Sequence, residues 1–366
     1  MKTTITLLII TFLLSTASEA AIWRVNNESN YSVPEQLYGE NIGGSEAIPV
    51  FYQVEECLLF SSFMDGDTIH LEASNIDYDF VEITRPCTIL GGGYFAVENA
   101  PISPNGYSTK LNGFEINSSN VTIMGVYNTS TSSTSLKGSN VVVERCRFTS
   151  GVVILTSLNP VHSGYYIRRN YFGGNGITLP FATSNGIPNN VFVQNNIFKG
   201  HVTGVNVTNP MTIDAFENNT IVNPSSTIYS LIIQTDSFRN NIIRGNGYSV
   251  QINNGDFTNV TNNLGTNFLQ FPTNSNNINL PVIASDNSLF VGGNYPNSID
   301  RDYPLQSESV LDYVGNDGTQ VGAFGGAYPY SISGVGPIPY IYEISTNGIS
   351  TPSEGLIINI SAKSGN

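Results

Sequence analysis

The sequence predicts an all-β fold, a single-stranded right-handed parallel β-helix, on three observations. A motif returns every 20–26 residues, asparagines line up at one place in that motif, and β-branched and aromatic residues alternate with polar ones around them. The predicted solenoid has a short N-terminal capping helix and a C-terminal strand-like tail.

The repeat is read first. The segments SNVTIMGVYN (119–128), SNVVVERCRF (139–148), GYYIRRNYF (164–172), NNVFVQNNIF (189–198), MTIDAFENNTI (211–221), TDSFRNNII (235–243) and DFTNVTNNL (256–264) align on one column. That column reads Val126, Cys146, Asn170, Asn196, Asn219, Asn241, Asn263. Three positions upstream every segment is apolar: Ile123, Val143, Ile167, Val193, Phe216, Phe238, Val260. One short strand at a fixed place in such a period means stacked coils, because one coil cannot bury its apolar face alone. An asparagine at the same bend of each coil can bond its neighbours' side chains and backbone, and it tolerates unusual turn dihedrals. Leucine-rich repeats also carry an asparagine column, but they need leucines at fixed spacing, where this chain has aromatic and β-branched residues.

Composition sets further bounds. Of 366 residues 40% are hydrophobic and only 11% charged, enough apolar surface for a large core. Asparagine makes up roughly one residue in eight and there are 35 glycines, which suits many short strands joined by tight turns. The net charge of −14, with only 14 Lys and Arg, argues against a nucleic-acid partner. Lys2, the apolar run 5–14 and the small residues Ser18 and Ala20 predict a secretory leader over 1–20. The destination is then secreted: extracellular, cell-surface or periplasmic. The run is too short to span a bilayer, so no transmembrane segment is expected. Cys57, Cys87 and Cys146 read as three buried small apolar residues.

These features resemble the pectin-lyase-like superfamily of right-handed β-helices, and more closely the uncharacterised secreted right-handed β-helix repeat proteins of Bacteroidetes. The opening PVFYQVEECLLFSSFMDGDTIHLEAS (49–74) resembles that group's amphipathic helix, "GDTI" turn and first coil. ITRPCTILGGGYF (83–95) resembles its next coil, and 302–326 resembles the closing coil of such helices. The tail 334–366 resembles the Bacteroidetes group. The resulting division is a leader (1–20), a β-helix (21–330) with its N-terminal cap near 45–64, and a tail (331–366) whose runs 340–344 and 356–362 cover the far end.

Side chains two and four positions before the column should point outward. Adjacent coils then offer Tyr166, Phe192, Arg168 and Gln194 together, a set suited to a sugar chain: ring faces stack on sugars while polar tips bond hydroxyls. The plainer reading of the same rows is cross-strand ion pairing, Glu144 with Arg168 and Glu217 with Arg239. Asp214 and Asp236 share the position five before the column. Facing inward, their carboxylates would lie about 5 Å apart and could serve as an acid/base pair. Turned outward they carry no such role, and Arg239 is placed to pair with Asp236. These three residues are the catalytic candidates. Arg145, Arg147, Arg168 and Arg169 form the only dense basic cluster, and arginine is a poor base for lyase chemistry. His70, His162 and His201 are scattered, so no metal or other cofactor is expected. The leading expectation is polysaccharide binding or a structural role without catalysis; the alternative is a polysaccharide lyase or glycoside hydrolase. Coil spacing varies little, so no long inter-coil insertion is expected to wall a groove. Oligomeric state stays open.

Overall fold

The computed structural model describes residues 20–28, 49–99, 106–154, 162–174, 176–178, 188–199, 212–223, 230–245, 249–252, 256–266, 275–280, 289–293, 299–336, 339–346 and 357–364. Almost all of the leader lies outside these residues, as do His201 and residues 45–48 of the expected cap.

The chain is a parallel β-solenoid. Sheet A has 11 strands, running from Val50–Phe51 and Ile22–Val25 through Val141–Glu144, Tyr165–Arg168 and Val191–Gln194 to Val260–Thr261. Sheet B has 9 strands, from Lys110–Leu111 to Ile278–Leu280. Sheet C has 5, from Val81–Ile83 to Ile177–Thr178. In the later coils a separate 3-stranded sheet of Thr212–Ile213, Ser230–Thr235 and Ser249–Ile252 holds the same place in chain order.

Register follows the sequence alignment. Ile123, Val143, Ile167, Val193, Phe216, Phe238 and Val260 pair in turn down sheet A. All are fully buried. A one-residue slip would expose the whole row, which pins the register. On sheet B, Phe148, Phe172 and Phe198 stack at 5.0 and 4.8 Å in the same core. Each such pair is worth about 0.5–1.5 kcal/mol beyond the area it buries.

The asparagine column is a continuous, fully satisfied hydrogen-bond ladder. Asn196 Nδ2 donates to the Ile167 carbonyl at 2.8 Å and to Asn219 Oδ1 at 3.1 Å, and the Asn196 backbone N–H donates to that same Oδ1 at 3.0 Å. Asn170, Asn219, Asn241 and Asn263 repeat the pattern. Cys146 N–H starts the ladder by donating to Asn170 Oδ1, and Asn277, only 14 residues beyond Asn263, extends it. The unusual dihedral belongs to the residue before the column rather than to the column itself. Gly125, Arg145, Arg169, Asn195, Asn218, Asn240 and Asn262 all have φ between 52° and 71°. This left-handed residue turns the chain from sheet A into sheet B at each of these seven coils.

From Tyr171–Phe172 to Leu264 sheet B is buried on both faces. Its outer residues Tyr171, Ile197, Val222, Ile242 and Leu264 join a second core with Leu289, Phe290, Tyr303, Leu305, Val321 and Tyr330. Residues 302–326 therefore do not close the helix with another coil. A 3-10 turn (Asp300–Asp302) leads into a helix (Ser307–Asp312) and then a strap that runs back along the solenoid. The strap lies over the row of left-handed residues. Asn316 exchanges hydrogen bonds with Asn240, and Gly322 N–H donates to the Asn240 carbonyl. Asn195 Nδ2 donates to the Ala323 and Gly325 carbonyls at 3.0 and 2.6 Å. Arg169 Nε donates to the Tyr328 carbonyl, and Arg145 Nη1 to that of Val335. The strap ends at a buried knot. Asp300 accepts from Asn99 Nδ2, Tyr330 OH and Ser333 N–H, and Tyr330 OH bonds Tyr94 OH. Burial outweighs these donors and pushes the Asp300 carboxyl up to about 6.

Near the N-terminus, the helix Val54–Leu59 buries Val54, Cys57 and Leu58 and carries a capping box between Gln53 and Glu56. At the other terminus Pro339–Thr346 and Ile358–Ser364 pair with each other as an antiparallel hairpin. Cys57, Cys87 and Cys146 are free and buried. Among the described residues no helix is long and apolar enough to cross a membrane.

Candidate functional site

The outer face of sheet A brings the expected surface residues together. Tyr166 pairs with Phe192 and Arg168 with Gln194 on adjacent strands. The Tyr166 and Phe192 rings stack face to face, centroids 5.1 Å apart and planes 8° from parallel. Phe192 is half-buried and Tyr166 is 37% exposed, so the two rings present an apolar step to solvent. The same row continues with Ala215 and Ser237, small side chains that drop the floor beyond the rings.

The neighbouring row is a charge ladder. Glu144 accepts from Arg168 Nε at 2.8 Å and Arg169 Nη1 at 3.0 Å, and Arg145 lies 3.5 Å away. Burial, then the adjacent Arg169 charge, pulls the Arg145 guanidinium below its ordinary range, with Glu144 opposing. Further along, Glu217 accepts from Gln194 Nε2 at 3.2 Å and Ser237 Oγ at 2.7 Å, and Arg239 Nε lies 2.7 Å from it. Both ion pairs expected from the sequence are present.

The strap supplies the wall that coil spacing gave no reason to expect. Tyr328 lies over Arg168 and Arg169, with guanidinium carbons 4.9 and 5.6 Å from its ring centre. Between strap and sheet lies a cleft of about 360 Å³. Its floor is Gln194, Glu217 and Arg239, with Asn195, Asn218 and Asn240 at the corner; its wall is Asn316, Asp317, Ala327 and Tyr328. The strap residues went unassigned in the sequence because the span 302–326 reads as a coil. The missed signal lies just after the column, where Tyr171–Phe172, Ile197–Phe198 and Ile242–Ile243 are consecutive apolar pairs. A strand with one wet face alternates; consecutive apolar residues mean both faces are covered.

The aspartate candidates are not an inward pair. Asp214 and Asp236 share a corner in register, but Asp214 is half-buried and Asp236 exposed. Asp214 Oδ2 accepts the Val191 N–H at 2.7 Å, so it caps the preceding coil. The reason is the residue before each aspartate. Earlier coils place a left-handed Asn120, Asn140, Gly164 or Asn190 there, which delivers Val121, Val141, Tyr165 and Val191 to the core. Ile213 and Thr235 replace it in these two coils, and the corner turns the next side chain out. Arg239 pairs with Glu217 and not with Asp236. Among the described residues no cluster of three or more His, Cys, Asp or Glu could hold a metal ion.

Comparison of the chain with protein-family models, with curated proteins and with solved structures finds no match. The site's chemistry therefore rests on its own geometry.

Proposed function

We propose that this is a secreted or cell-surface right-handed β-helix of the pectin-lyase-like type, kin to the Bacteroidetes repeat proteins, that binds a polysaccharide along sheet A without cleaving it. Right-handedness is the expectation for parallel crossovers, about 98% of which have that hand. The helix Val54–Leu59 acts as a cover for the N-terminal end, where open strand edges would otherwise invite pairing. The observation that carries the binding role is the stacked Tyr166–Phe192 platform. Two parallel rings stacked on each other and open to solvent beside Gln194 and Arg168 form an apolar ridge against which the CH-rich faces of a sugar chain can pack. The catalytic alternative gains no support from the groove. The Asp214 carboxylate is engaged by a backbone N–H, and Glu217 is committed to Arg239, Gln194 and Ser237.

The test is a panel of insoluble and soluble polysaccharides scored for retention and for new reducing or unsaturated ends. Retention without new ends is expected, and a Tyr166→Ala, Phe192→Ala double variant should lose it at least tenfold. New chain ends appearing with time would overturn the non-catalytic reading.

A further inference from the structure

We infer that the cleft beside the platform takes an uncharged sugar unit, so that the polysaccharide bound is a neutral one. The inference rests on the binding role just proposed and adds the class of glycan. Three observations support it.

The first is the charge of the cleft itself. Its lining holds two carboxylates, Glu217 and Asp317, against one guanidinium, Arg239, which is tied to Glu217 at 2.7 Å. A uronate or ester sulfate entering there would meet an acidic wall, on a chain whose net charge of −14 already repels polyanions.

The second is that the nearby arginines already hold structural bonds. Arg168 and Arg169 both bond Glu144 and lie beneath the Tyr328 ring, Arg169 also holds the Tyr328 carbonyl, and Arg145 holds that of Val335. They fasten the strap to the coils, and the donors that do so are engaged before a ligand arrives.

The third is the remaining polar lining. Gln194 and Asn195 give their amide N–H groups to Glu217 and to the strap carbonyls. The polar lining is otherwise neutral amide: Asn218 Nδ2 is buried there without a partner among the described residues, a donor that together with the amide oxygens suits sugar hydroxyls. A space of about 360 Å³ is at the small end of ligand sites and suits a short saccharide with its ring against Tyr328. Ala327 is exposed on the wall and is the natural place to close it.

The experiment compares retention of the full mature chain on neutral polymers (glucan, mannan, xylan, galactan) and on acidic ones (polygalacturonate, alginate), at low and high salt. Ala327→Trp, which fills the cleft from an exposed position, is run beside it with circular dichroism and melting as controls for folding. The expected result is retention on at least one neutral polymer, unchanged by salt and at least tenfold weaker in Ala327→Trp. Retention on an acidic polymer that salt weakens would overturn the neutral assignment and leave the binding role standing. Retention on a neutral polymer unaffected by Ala327→Trp would overturn the cleft as its site. Retention on nothing in the panel would overturn both readings together.

Discussion

Removing one rung of the asparagine ladder should cost far more than the loss of one polar side chain suggests. Asn219 is fully buried and uses its whole amide. Its Oδ1 accepts from the Asn196 N–H at 3.0 Å and from Asn196 Nδ2 at 3.1 Å, and its Nδ2 donates to the Val193 carbonyl at 2.9 Å. In Asn219→Ala the Asn196 N–H and one hydrogen of its Nδ2 lose their acceptor, and the Val193 carbonyl loses this donor. Asn241 Oδ1 keeps the backbone N–H of residue 219. An orphaned buried polar group costs about 1–3 kcal/mol, so two to three of them give roughly 2–9 kcal/mol. The exposed Asn259, replaced by alanine, should change stability by less than about 0.5 kcal/mol. Urea unfolding gives the global figure, and hydrogen exchange at the Asn196 amide gives the local one. Because coils interact mainly with their neighbours, protection should fall most in the coils either side of residue 219. A loss below about 1 kcal/mol, or equal losses at 219 and 259, would refute the idea that the ladder holds the stack.

Further expectations concern the strap and the thiols. Asp300 ionises near 6 in the folded chain and near its ordinary value of 3.8 unfolded, so between those pH values the folded state holds the extra proton. Its contribution is complete below about pH 4 and is lost as pH rises to 6, about 3 kcal/mol in all; melting temperature across that window should decline, less so in Asp300→Asn, and a rise specific to wild type would contradict the assignment. Gly334 has φ 61° and a Cβ there would lie 2.3 Å from the Tyr94 ring, so Gly334→Ala should loosen the strap and speed proteolysis within 313–336 while the coils stay folded. Burial pushes the Cys87 and Cys146 thiols up to about 12 and that of Cys57 higher still. A thiol reagent at pH 8 should therefore label none of them in the native chain and all three in denaturant.

What the sequence made legible was what repeats. Ile123 through Val260 could be read as one buried row because each recurs three residues before the same aligned column. The stacked Tyr166–Phe192 pair followed from alternation on the same strands. What stayed illegible occurs once. The strap's bonds join Asn195 to Gly325 and Arg145 to Val335, 130 and 190 residues apart, with no periodic signal at the strap end. Asn277 was hidden by a coil shortened to 14 residues. The fate of Asp214 and Asp236 turned on one backbone dihedral in the residue before each, which side-chain chemistry alone does not reveal.

The stacking itself can be measured as a length. Thr122 and Asn259 occupy the same position on sheet A, six coil steps apart by register. At about 4.8 Å per step their Cα atoms should lie roughly 29 Å apart. Spin labels at these two sites, read by pulsed dipolar spectroscopy, should give a single narrow distribution around that separation. A broad distribution, or one centred well below 20 Å, on the order of half the expected stack, would contradict coils laid in register.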